Sequence, residues 1–497
     1  MSFRVLFLYP NFRSESLVPP AIAIMSRILK NHGIEVELFD TTDYGLGLGR
    51  DHDRLSETQL SVRSSPHRTL TKVDCDPWKD LNDQVNRFQP NIIALSTTES
   101  TFLLGVEIIK HIEHRNPRDM PVILGGNFAT TAPERALSFP EIDIVCVGEG
   151  EKALLEFCQR MEKGEKYKDV RGLWFKGLPG IPIRNPPQPL VDMNENPTDF
   201  DLGLFAPVRL IRPMSGKLYK MAPVETIRGC TYGCGFCNSR QTGSRKKSML
   251  KVFEEIKHYR DMYGVEYMYF WADTFLMMSK SELAEFCEMY QDVQLPFWVQ
   301  TRVETITDWR LKPLKKVGLH KIAFGIENGD EHFRQTVVHK EFTNDEAVRA
   351  LDITADMGII YNTNNIVGYP YETRMIAMET VHLNRRFKGV ETVNCFTFTP
   401  YHGTLARDKA ITAGFMDPNA IASADTNEDS ILTMPQFPKE EIRKFQRVFP
   451  LYVKFPEDRW SEIQQAEEDT AEGNAILARL RTEYKEVYLG EPAFQSH

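Results

Sequence analysis

The sequence lacks long apolar runs, an excess of basic residues and a regular cysteine framework. No run approaches the roughly 18 apolar residues that a transmembrane helix requires, and Pro10 interrupts the short apolar stretch near the N-terminus, so no secretory signal is predicted. A formal net charge of -9 argues against a general affinity for nucleic acid, which needs a concentrated basic surface. We therefore expect a cytoplasmic protein with no nucleic-acid partner.

Cysteine is scarce outside one short stretch. Three of the eight cysteines lie in RGCTYGCGFCNSR (228–240), and the other five show no spacing typical of a disulfide framework. Because three is an odd number and the compartment is expected to be reducing, the cluster is predicted to bind a metal rather than to form cross-links. Among the remaining cysteines, Cys75 and Cys158 are predicted to be packing residues.

Residues 1–165 alternate apolar strand patterns with helical patterns. The predicted strands are RVLFLYP, EVELFD, NIIALSTT, PVILGGN and DIVCVGEGE. Strands separated by helices indicate a parallel sheet with right-handed crossovers, and such sheets bind ligands beyond the carboxyl ends of their strands. The polar stretch from Tyr44 to Arg87 is interpreted as an insertion into this Rossmann-like domain.

The rest of the chain divides into three regions. Residues 166–222 are rich in proline and turn formers and are predicted to be a linker. Residues 223–430 repeat six strand and helix units, which predict a partial (β/α)6 barrel with its chemistry on the loops after the strands. Residues 431–497 are predicted to be an amphipathic helical region that packs over the barrel, with a membrane-associating helix as the alternative. The expected fold class is α/β.

The cysteine loop is one of the loops that follow a barrel strand. Cys230, Cys234 and Cys237 have the spacing CxxxCxxC, whereas a structural zinc site normally takes four protein ligands. No histidine or fourth cysteine lies nearby in the sequence. Three thiolates on one short loop suit a [4Fe-4S] cluster that leaves one iron open for a small ligand, and a structural zinc remains the alternative.

This motif and its setting resemble the radical S-adenosylmethionine (SAM) superfamily, in which the open iron binds SAM and an electron cleaves SAM to a 5'-deoxyadenosyl radical. Phe236 is the aromatic residue of the CxxxCxΦC form. The resemblance also implies SAM contacts from Asp273 and Thr274 of FWADTF, Arg302 of VQTRVE and Glu327 of FGIENG. The alternatives are a helix N-cap for the aspartate and a surface ion pair for the glutamate.

Two further segments resemble family patterns with departures. NNIVGYPYET (364–373) resembles GxIxGxxE through Ile366, Gly368 and Glu372, with Asn364 in place of the first glycine and Glu372 one position later than the pattern places its glutamate. The match implies that Ile366 and Gly368 lie on the adenine side of the SAM site. FTPYHGT (398–404) resembles the F-x-P-Y-P-G-T turn, with His402 in place of proline. His402 is interpreted as a turn residue rather than a catalytic acid.

The ALSTT, VILGGN and VGEGE segments of the first region resemble the cobalamin-binding modules fused to many radical SAM enzymes. The first loop lacks the histidine of the D-x-H-x-x-G signature, so no histidine from that loop is expected on cobalt. A Rossmann-like module for another nucleotide, or a purely structural one, is the alternative. The cobalamin contacts that the resemblance implies are at four strand ends: Tyr9, Asn11, Phe12, Ser96, Thr97, Thr98, Gly125, Gly126, Asn127, Gly148, Glu149 and Gly150.

The resemblance implies three cofactors, a [4Fe-4S] cluster, SAM and cobalamin, and an external electron donor such as flavodoxin or ferredoxin. The predicted function is methyl transfer from methylcobalamin to an unactivated carbon of a small molecule, lipid or natural product, after hydrogen abstraction by the 5'-deoxyadenosyl radical. One alternative is a non-methylating enzyme of the same cofactors that performs oxidative cyclisation or rearrangement. A second is a noncatalytic iron-sulfur or corrinoid-binding protein. The chain is expected to be a monomer.

Overall fold

The computed structural model of the protein describes most of the chain. The described residues are 2–11, 18–44, 46, 57, 59–65, 72, 74–113, 115–116, 119–178, 181–239, 243–423 and 429–491.

The first sheet has seven strands. Their bounds are β1 (Arg4–Tyr9), β2 (Glu35–Asp40), β3 (Ile92–Ser96), β4 (Val122–Gly125), β5 (Ile144–Cys146), β6 (Leu173–Leu178) and β7 (Ile181–Arg184). The strand order is β2-β1-β3-β4-β5-β6-β7. The first five strands are mutually parallel, whereas β6 and β7 are antiparallel to their neighbours.

Helices cover both faces of this sheet. Successive strand residues face opposite ways, so the apolar residues of each strand supply a core on either side. Val5 and Phe7 of β1 enter one hydrophobic core, whereas Leu6 and Leu8 enter the other. The prediction of a parallel α/β domain is confirmed. The helices of this domain are Pro20–Asn31, Pro77–Phe88, Glu99–Lys110, Asn127–Thr131, Pro133–Leu137 and Glu151–Glu162.

The segment 166–222, predicted to be a linker, contributes the strands β6 and β7 to the first sheet. Leu173 and Phe175 of β6 are buried in the core, so this short strand is held by packing although prolines and turn formers surround it. The segment also contains β8 and the beginning of β9, defined below. The linker prediction is therefore wrong for these strands, and the first sheet extends to Arg184.

The helix Pro77–Phe88 lies in the stretch 44–87, which was interpreted as an irregular insertion. The side chain of Asp76 caps this helix by accepting a hydrogen bond of 2.9 Å from the Trp78 N–H. Its buried residues Leu81, Val85 and Phe88 have the i, i+4, i+7 spacing of an amphipathic helix, a signal that the interpretation as irregular overlooked. Residues 45, 47–56, 58, 66–71 and 73 of the same stretch lie outside the described residues.

The second sheet has eight strands, six of which are parallel. Their bounds are β8 (Ile211–Met214), β9 (Lys217–Arg228), β10 (Arg245–Lys246), β11 (Tyr267–Ala272), β12 (Phe297–Thr301), β13 (Leu319–Glu327), β14 (Ile360–Val367) and β15 (Thr392–Thr397). The order is β10-β9-β11-β12-β13-β14-β15, and β8 pairs with β9. Strands β9 and β11 to β15 are parallel, which confirms the predicted partial barrel.

Helices pack on the outer face of this sheet. Phe270 of β11 contacts Phe286 of the helix after it, with 5.4 Å between ring centroids, so the neighbouring strand residues Tyr269 and Trp271 face the barrel interior. The helices of the barrel are Met249–Tyr263, Lys280–Tyr290, Asp308–Val317, Glu331–Phe333, Asn344–Asp356, Arg374–Arg385 and Leu405–Thr412, and a π-helical turn covers Arg334–Val338.

Three helices form the C-terminal region, Lys439–Lys454, Trp460–Glu467 and Ala471–Tyr488. The first of them buries its apolar face, including Phe445 and Phe449, in the same core as the barrel helices. This packing confirms the predicted position over the barrel. None of the described helices combines the length and the apolarity needed to cross a membrane.

Candidate active site

The three motif cysteines lie on the loop that follows β9. Cys230, Cys234 and Cys237 are partly exposed and form no disulfide. Cys158 is buried, as predicted for a packing residue, but Cys75 is exposed. The packing prediction is therefore wrong for Cys75, which lies just before a helix cap rather than in a core.

Backbone hydrogen bonds join the two ends of the cysteine loop and hold its middle. The Cys230 N–H donates to the Ser239 carbonyl at 3.4 Å, and the Gly235 N–H donates to the Val338 carbonyl at 2.9 Å. A Cβ added at Gly235 would lie 3.0 Å from the Val337 carbonyl oxygen, so glycine permits this close approach. In the described part of the chain, no three Cys, His, Asp or Glu side chains are arranged to hold a single metal ion.

Arg302 lies beside the middle cysteine of the motif. Its Nη1 donates a hydrogen bond of 3.0 Å to Cys234 Sγ, while Glu304 pairs with Nη2 at 2.5 Å and the Tyr232 ring lies 4.0 Å from the guanidinium carbon. Burial raises the pKa of Cys234, and the positive charges of Lys340 and Arg302 oppose that increase. These two cations favour a thiolate at this position.

Asp273 and Thr274 follow β11 and face the same loop. Asp273 Oδ1 accepts a hydrogen bond of 2.9 Å from Ser239 Oγ, and Thr274 Oγ1 lies 3.7 Å from Cys230 Sγ. Burial raises the pKa of Asp273. The N-cap alternative for Asp273 is wrong, because Ser279 caps the following helix.

Glu327 ends β13 with a φ of +69°, a conformation that is uncommon for a residue other than glycine. Its Oε1 accepts a hydrogen bond of 2.9 Å from Lys340 Nζ, and the same Nζ donates to the Gly325 carbonyl at 2.7 Å. Glu327 is 6% exposed, so the surface ion-pair alternative is wrong. Oε2 receives no hydrogen bond from the described residues, which leaves one carboxylate oxygen for a ligand.

Gly368 follows β14 with a φ of +91°. Its N–H donates a hydrogen bond of 2.5 Å to Glu372 Oε2, and Asn328 Nδ2 donates to Oε1 at 2.8 Å. Burial raises the pKa of Glu372 to about 8, although these N–H donors oppose the increase. The half-buried Ile366 lies in register with Phe396 of β15. The GxIxGxxE segment thus fixes a tight turn at the strand end.

The rings of Phe236, Tyr369 and Phe398 pack together beside the cysteine loop. The Phe236 ring lies 6.0 Å from the Tyr369 ring, which lies 4.8 Å from the Phe398 ring. Tyr369 is fully buried, and its hydroxyl has no partner among the described residues. Tyr369 and Lys340 were not predicted from the sequence. The only signal for Tyr369 was its position directly after the motif glycine.

The predicted cobalamin contacts lie on the loops after β1, β3, β4 and β5. Asn11 Nδ2 donates a hydrogen bond of 2.9 Å to Thr42 Oγ1, which joins the first loop to the end of β2, and Tyr9 is the last residue of β1. Thr98 and Thr101 form a capping box at the start of the helix Glu99–Lys110. Phe12 lies outside the described residues.

Gly126, which follows β4, approaches the backbone of Thr97, which follows β3. Gly126 has a φ of +104°, and a Cβ added to it would lie 2.0 Å from the Thr97 carbonyl oxygen, so only glycine fits. A Cβ added at the neighbouring Gly125 would meet nothing within 4 Å. Thr97 is buried, and its Oγ1 has no partner in the described part of the chain. An open cradle beside an unpaired hydroxyl suits a ligand, as the cobalamin prediction requires.

Glu149 joins the first sheet to the cysteine loop. Its carboxylate accepts a hydrogen bond of 3.0 Å from Arg228 Nη1 and pairs with Arg245, while Glu151 also binds Arg228 at 2.8 Å. Burial favours a higher pKa for Glu149, but Arg245, the Val191 N–H and Arg228 together hold its pKa below the usual value. The side chain of Glu149 is thus engaged by the barrel, so any predicted cobalamin contact here would come from the flanking backbone.

His402 forms a second joint between the two sheets. Its backbone N–H donates a hydrogen bond of 2.8 Å to Glu99 Oε2, and its Nδ1 lies 2.7 Å from Oε1. The Ala422 N–H donates to the same Oε1 at 2.8 Å. A proline at position 402 would lack this N–H. The histidine that replaces the family's proline therefore supplies a donor to the buried Glu99 carboxylate of the first domain. Sequence patterns could not reveal Glu99.

Family models match two parts of the chain. The B12-binding domain model matches residues 63–157, and the radical SAM superfamily model matches residues 224–383. The chain is a radical SAM protein with a B12-binding domain. The radical SAM match contains all three motif cysteines, and the B12-binding match contains the loops after β3, β4 and β5.

Two curated relatives match most of this chain. The chain is 27% identical to an uncharacterized methyltransferase, PH0819, of Pyrococcus horikoshii, over 76% of this chain and 81% of the relative. It is 24% identical to an anaerobic magnesium-protoporphyrin IX monomethyl ester cyclase of Rubrivivax gelatinosus, over 80% of this chain and 68% of the relative.

Two solved structures share the fold of the whole chain. One is the radical SAM methyltransferase TsrM from Kitasatospora setae with cobalamin and a [4Fe-4S] cluster bound, with a TM-score of 0.64 and 15% identity over 98% of this chain and 99% of that chain. The other is the cobalamin-dependent SAM radical enzyme OxsB, with a TM-score of 0.66 and 14% identity over 98% of this chain and 72% of that chain. At these identities the likeness establishes the fold.

Proposed function

We propose that the chain is a cobalamin-dependent radical SAM methyltransferase that acts on an unactivated carbon of a small molecule. The observation that carries this proposal is the joint between Glu149 and Arg228. It ties a predicted cobalamin loop to the residue two positions before Cys230. Relatives that are named methyltransferases support methyl transfer over the alternatives.

Residues of this chain are available for each of the three cofactors. We assign the [4Fe-4S] cluster to the three motif cysteines. We assign SAM to Phe236, Asp273, Thr274, Arg302, Glu327, Ile366 and Gly368. We assign cobalamin to the strand-end loops of the first sheet, with Thr97 and Gly125 as the residues that best fit a bound ligand.

The chain itself orients and shields these groups. When bound, the cofactors supply the methyl group and the radical that removes hydrogen from the substrate. Arg302 and Lys340 place two positive charges beside Cys234, which favour the thiolate that a cluster needs. The packed rings of Phe236, Tyr369 and Phe398 exclude water beside the cysteine loop. We further propose that a flavodoxin or ferredoxin supplies the electron and that the protein acts as a cytoplasmic monomer.

An enzyme that converts its substrate without methylation is the second candidate. The observation that favours it is the 24% identity to the cyclase relative over 80% of this chain. Both candidates use the same three cofactors, so product analysis rather than cofactor content must separate them.

The test is to incubate the anaerobically reconstituted protein with a reductant, SAM and extracts that contain candidate substrates. Methyl transfer requires two SAM molecules to be consumed by different bond cleavages in each turnover. S-adenosylhomocysteine and 5'-deoxyadenosine should therefore appear in equal amounts when the true substrate is present, and a label in the SAM methyl group should appear in the product. If 5'-deoxyadenosine accumulates with a converted but unmethylated substrate and no S-adenosylhomocysteine, the second candidate is correct.

A further inference from the structure

Three asparagines face the interior of the barrel. Asn362 and Asn364 are on β14, and Asn394 is on β15 in register with Asn364. The intervening residues Thr363 and Asn365 point outward, where both contact Asn384 of the helix Arg374–Arg385. Asparagine is depleted in strands, so strand propensity does not explain this inner group.

The asparagines form a chain of hydrogen bonds that ends in unused groups. Asn362 Nδ2 donates to Asn364 Oδ1 at 3.0 Å, and Asn394 Nδ2 donates to the same oxygen at 2.9 Å. Asn394 is 9% exposed, and its Oδ1 is buried without a partner among the described residues. Asn364 Nδ2 donates to no described residue either. A buried acceptor without a donor destabilises the fold, and a ligand that donates to it would recover that loss.

The charges near this group are already paired. On the inner face of the adjacent strand β13, Lys321 pairs with Glu391 at 2.5 Å, and Glu327 pairs with Lys340 at 2.9 Å. An ionised substrate group would therefore meet no free counter-charge from these side chains. The unused acceptor and donor suit an uncharged group that carries an N–H and a C=O side by side.

The wall across the barrel interior is aromatic. The rings of Tyr269 and Trp298 are stacked, with centroids 4.4 Å apart and an interplanar angle of 7°. Trp271, on the same inner face of β11, is 38% exposed. Between the two walls, β13 presents the small residue Ala323, in register with both Gln300 and Asn362. A flat, partly apolar molecule matches this arrangement.

We propose that Asn364 and Asn394 form a substrate subsite that recognises an uncharged amide edge, such as a carboxamide or a lactam, on a planar methyl acceptor. The identity of the ligand as the methyl acceptor rests on the proposed function. The amide recognition itself does not, because it follows from the unused groups of the two asparagines. Asn364 occupies the position at which the family motif has glycine. This chain therefore has a polar side chain there, four residues before the turn at Gly368.

The test uses benzamide as a probe, with its affinity for the cluster-reconstituted full chain measured by ligand-observed NMR. Benzamide should bind, and the isosteric charged analogue benzoate should bind at least about tenfold more weakly, because one unsatisfied buried hydrogen bond is worth that factor. The Asn394→Leu variant should lose about tenfold in benzamide affinity for the same reason. The Asn419→Leu variant, at an exposed surface asparagine, should bind benzamide as the wild type does.

A second variant keeps the test decisive if Asn394→Leu unfolds. Asn394→Asp preserves the side-chain shape and turns the subsite anionic, so it should prefer benzamidine to benzamide, the reverse of the wild type. Absence of benzamide binding to the wild type, or equal affinities in all variants, would overturn the subsite and leave only water in contact with the asparagines. These outcomes are independent of SAM turnover, so failure to detect S-adenosylhomocysteine would count against methyl transfer and not against amide recognition.

Discussion

Lys247 and Glu255 form an ion pair of 2.7 Å from which solvent is fully excluded on both sides. Lys247 directly follows β10, and Glu255 lies on the first barrel helix, Met249–Tyr263. Glu255 Oε2 has no partner in the described part of the chain. Two buried charges hold each other in place, and neither has access to water. Removing one of them therefore leaves the other uncompensated.

We expect the Lys247→Met variant to lose about 3–5 kcal/mol of unfolding free energy, because it strands a buried carboxylate. The double variant Lys247→Met/Glu255→Leu should recover most of that loss. Urea denaturation measures both. As a control, Lys388→Met removes an exposed pair with Asp356 and should cost less than about 1 kcal/mol. A double variant as unstable as the single one would contradict the argument.

Alanine at Cys230, Cys234 or Cys237 should abolish the broad visible absorption of a reconstituted cluster and the cleavage of SAM, because a cubane with two protein thiolates is poorly held. The exposed Cys75 provides the matched control, and Cys75→Ala should retain both signals. Iron analysis and 5'-deoxyadenosine detection provide the measurements. Unchanged iron content in a variant that lacks all three motif cysteines would exclude this cluster site.

The Gly125→Leu variant should lose stoichiometric binding of hydroxocobalamin without losing thermal stability. A side chain at this position enters open space in the protein, so any loss must come from a clash with the ligand. Glu113→Leu, at an exposed position of the same domain, should bind normally. Absorption spectra after gel filtration report binding, and full occupancy of the leucine variant would mean that Gly125 does not face the corrin.

His402→Pro should lower the unfolding free energy by about 1–3 kcal/mol, because it removes an N–H from the buried Glu99 carboxylate. His402→Ala keeps that N–H, so it should retain part of the stability that the proline variant loses. Thermal unfolding of both variants provides the comparison. If the two variants melt at the same temperature, the backbone hydrogen bond to Glu99 contributes nothing to the joint.

The stability of the protein should depend on pH through Glu372. Its pKa rises from an ordinary value of 4.5 to about 8 in the folded protein, so between these values the folded state holds a proton that the unfolded state has released. Stability from this group therefore falls as pH rises through that window. Glu372→Gln removes the titration, and its melting temperature should fall less between pH 6 and pH 8 than that of the wild type. Parallel curves would assign the pH dependence to other groups.

Local sequence patterns predicted the elements that depend on short-range spacing. The CxxxCxxC loop, Arg302 at the end of β12 and Gly368 after β14 each follow an apolar strand directly, and parallel strands bring such ends to one edge of a sheet. The structure brings Arg302 and Thr274 to the cysteines in this way. Their roles toward SAM stay predictions.

Contacts between distant segments were not predictable in the same way. Lys340 binds Glu327 from a loop that has no motif of its own, and Glu99 binds His402 across 303 positions of the chain. The strands β6 and β7 were hidden because their apolar residues are few and surrounded by turn formers. Each of these features is set by tertiary packing, which periodicity within one segment does not encode.

The Arg228 joint also limits how such proteins can be built from parts. Arg228 belongs to the barrel, where it pairs with Glu225, whereas its other partners Glu149 and Glu151 belong to the B12-binding domain. Recombination that exchanges one domain with a relative would separate the arginine from both glutamates and leave partly buried carboxylates without a counter-charge. Chimeric proteins should therefore require joint exchange of Arg228, Glu149 and Glu151, together with Arg245 of the barrel, which also pairs with Glu149.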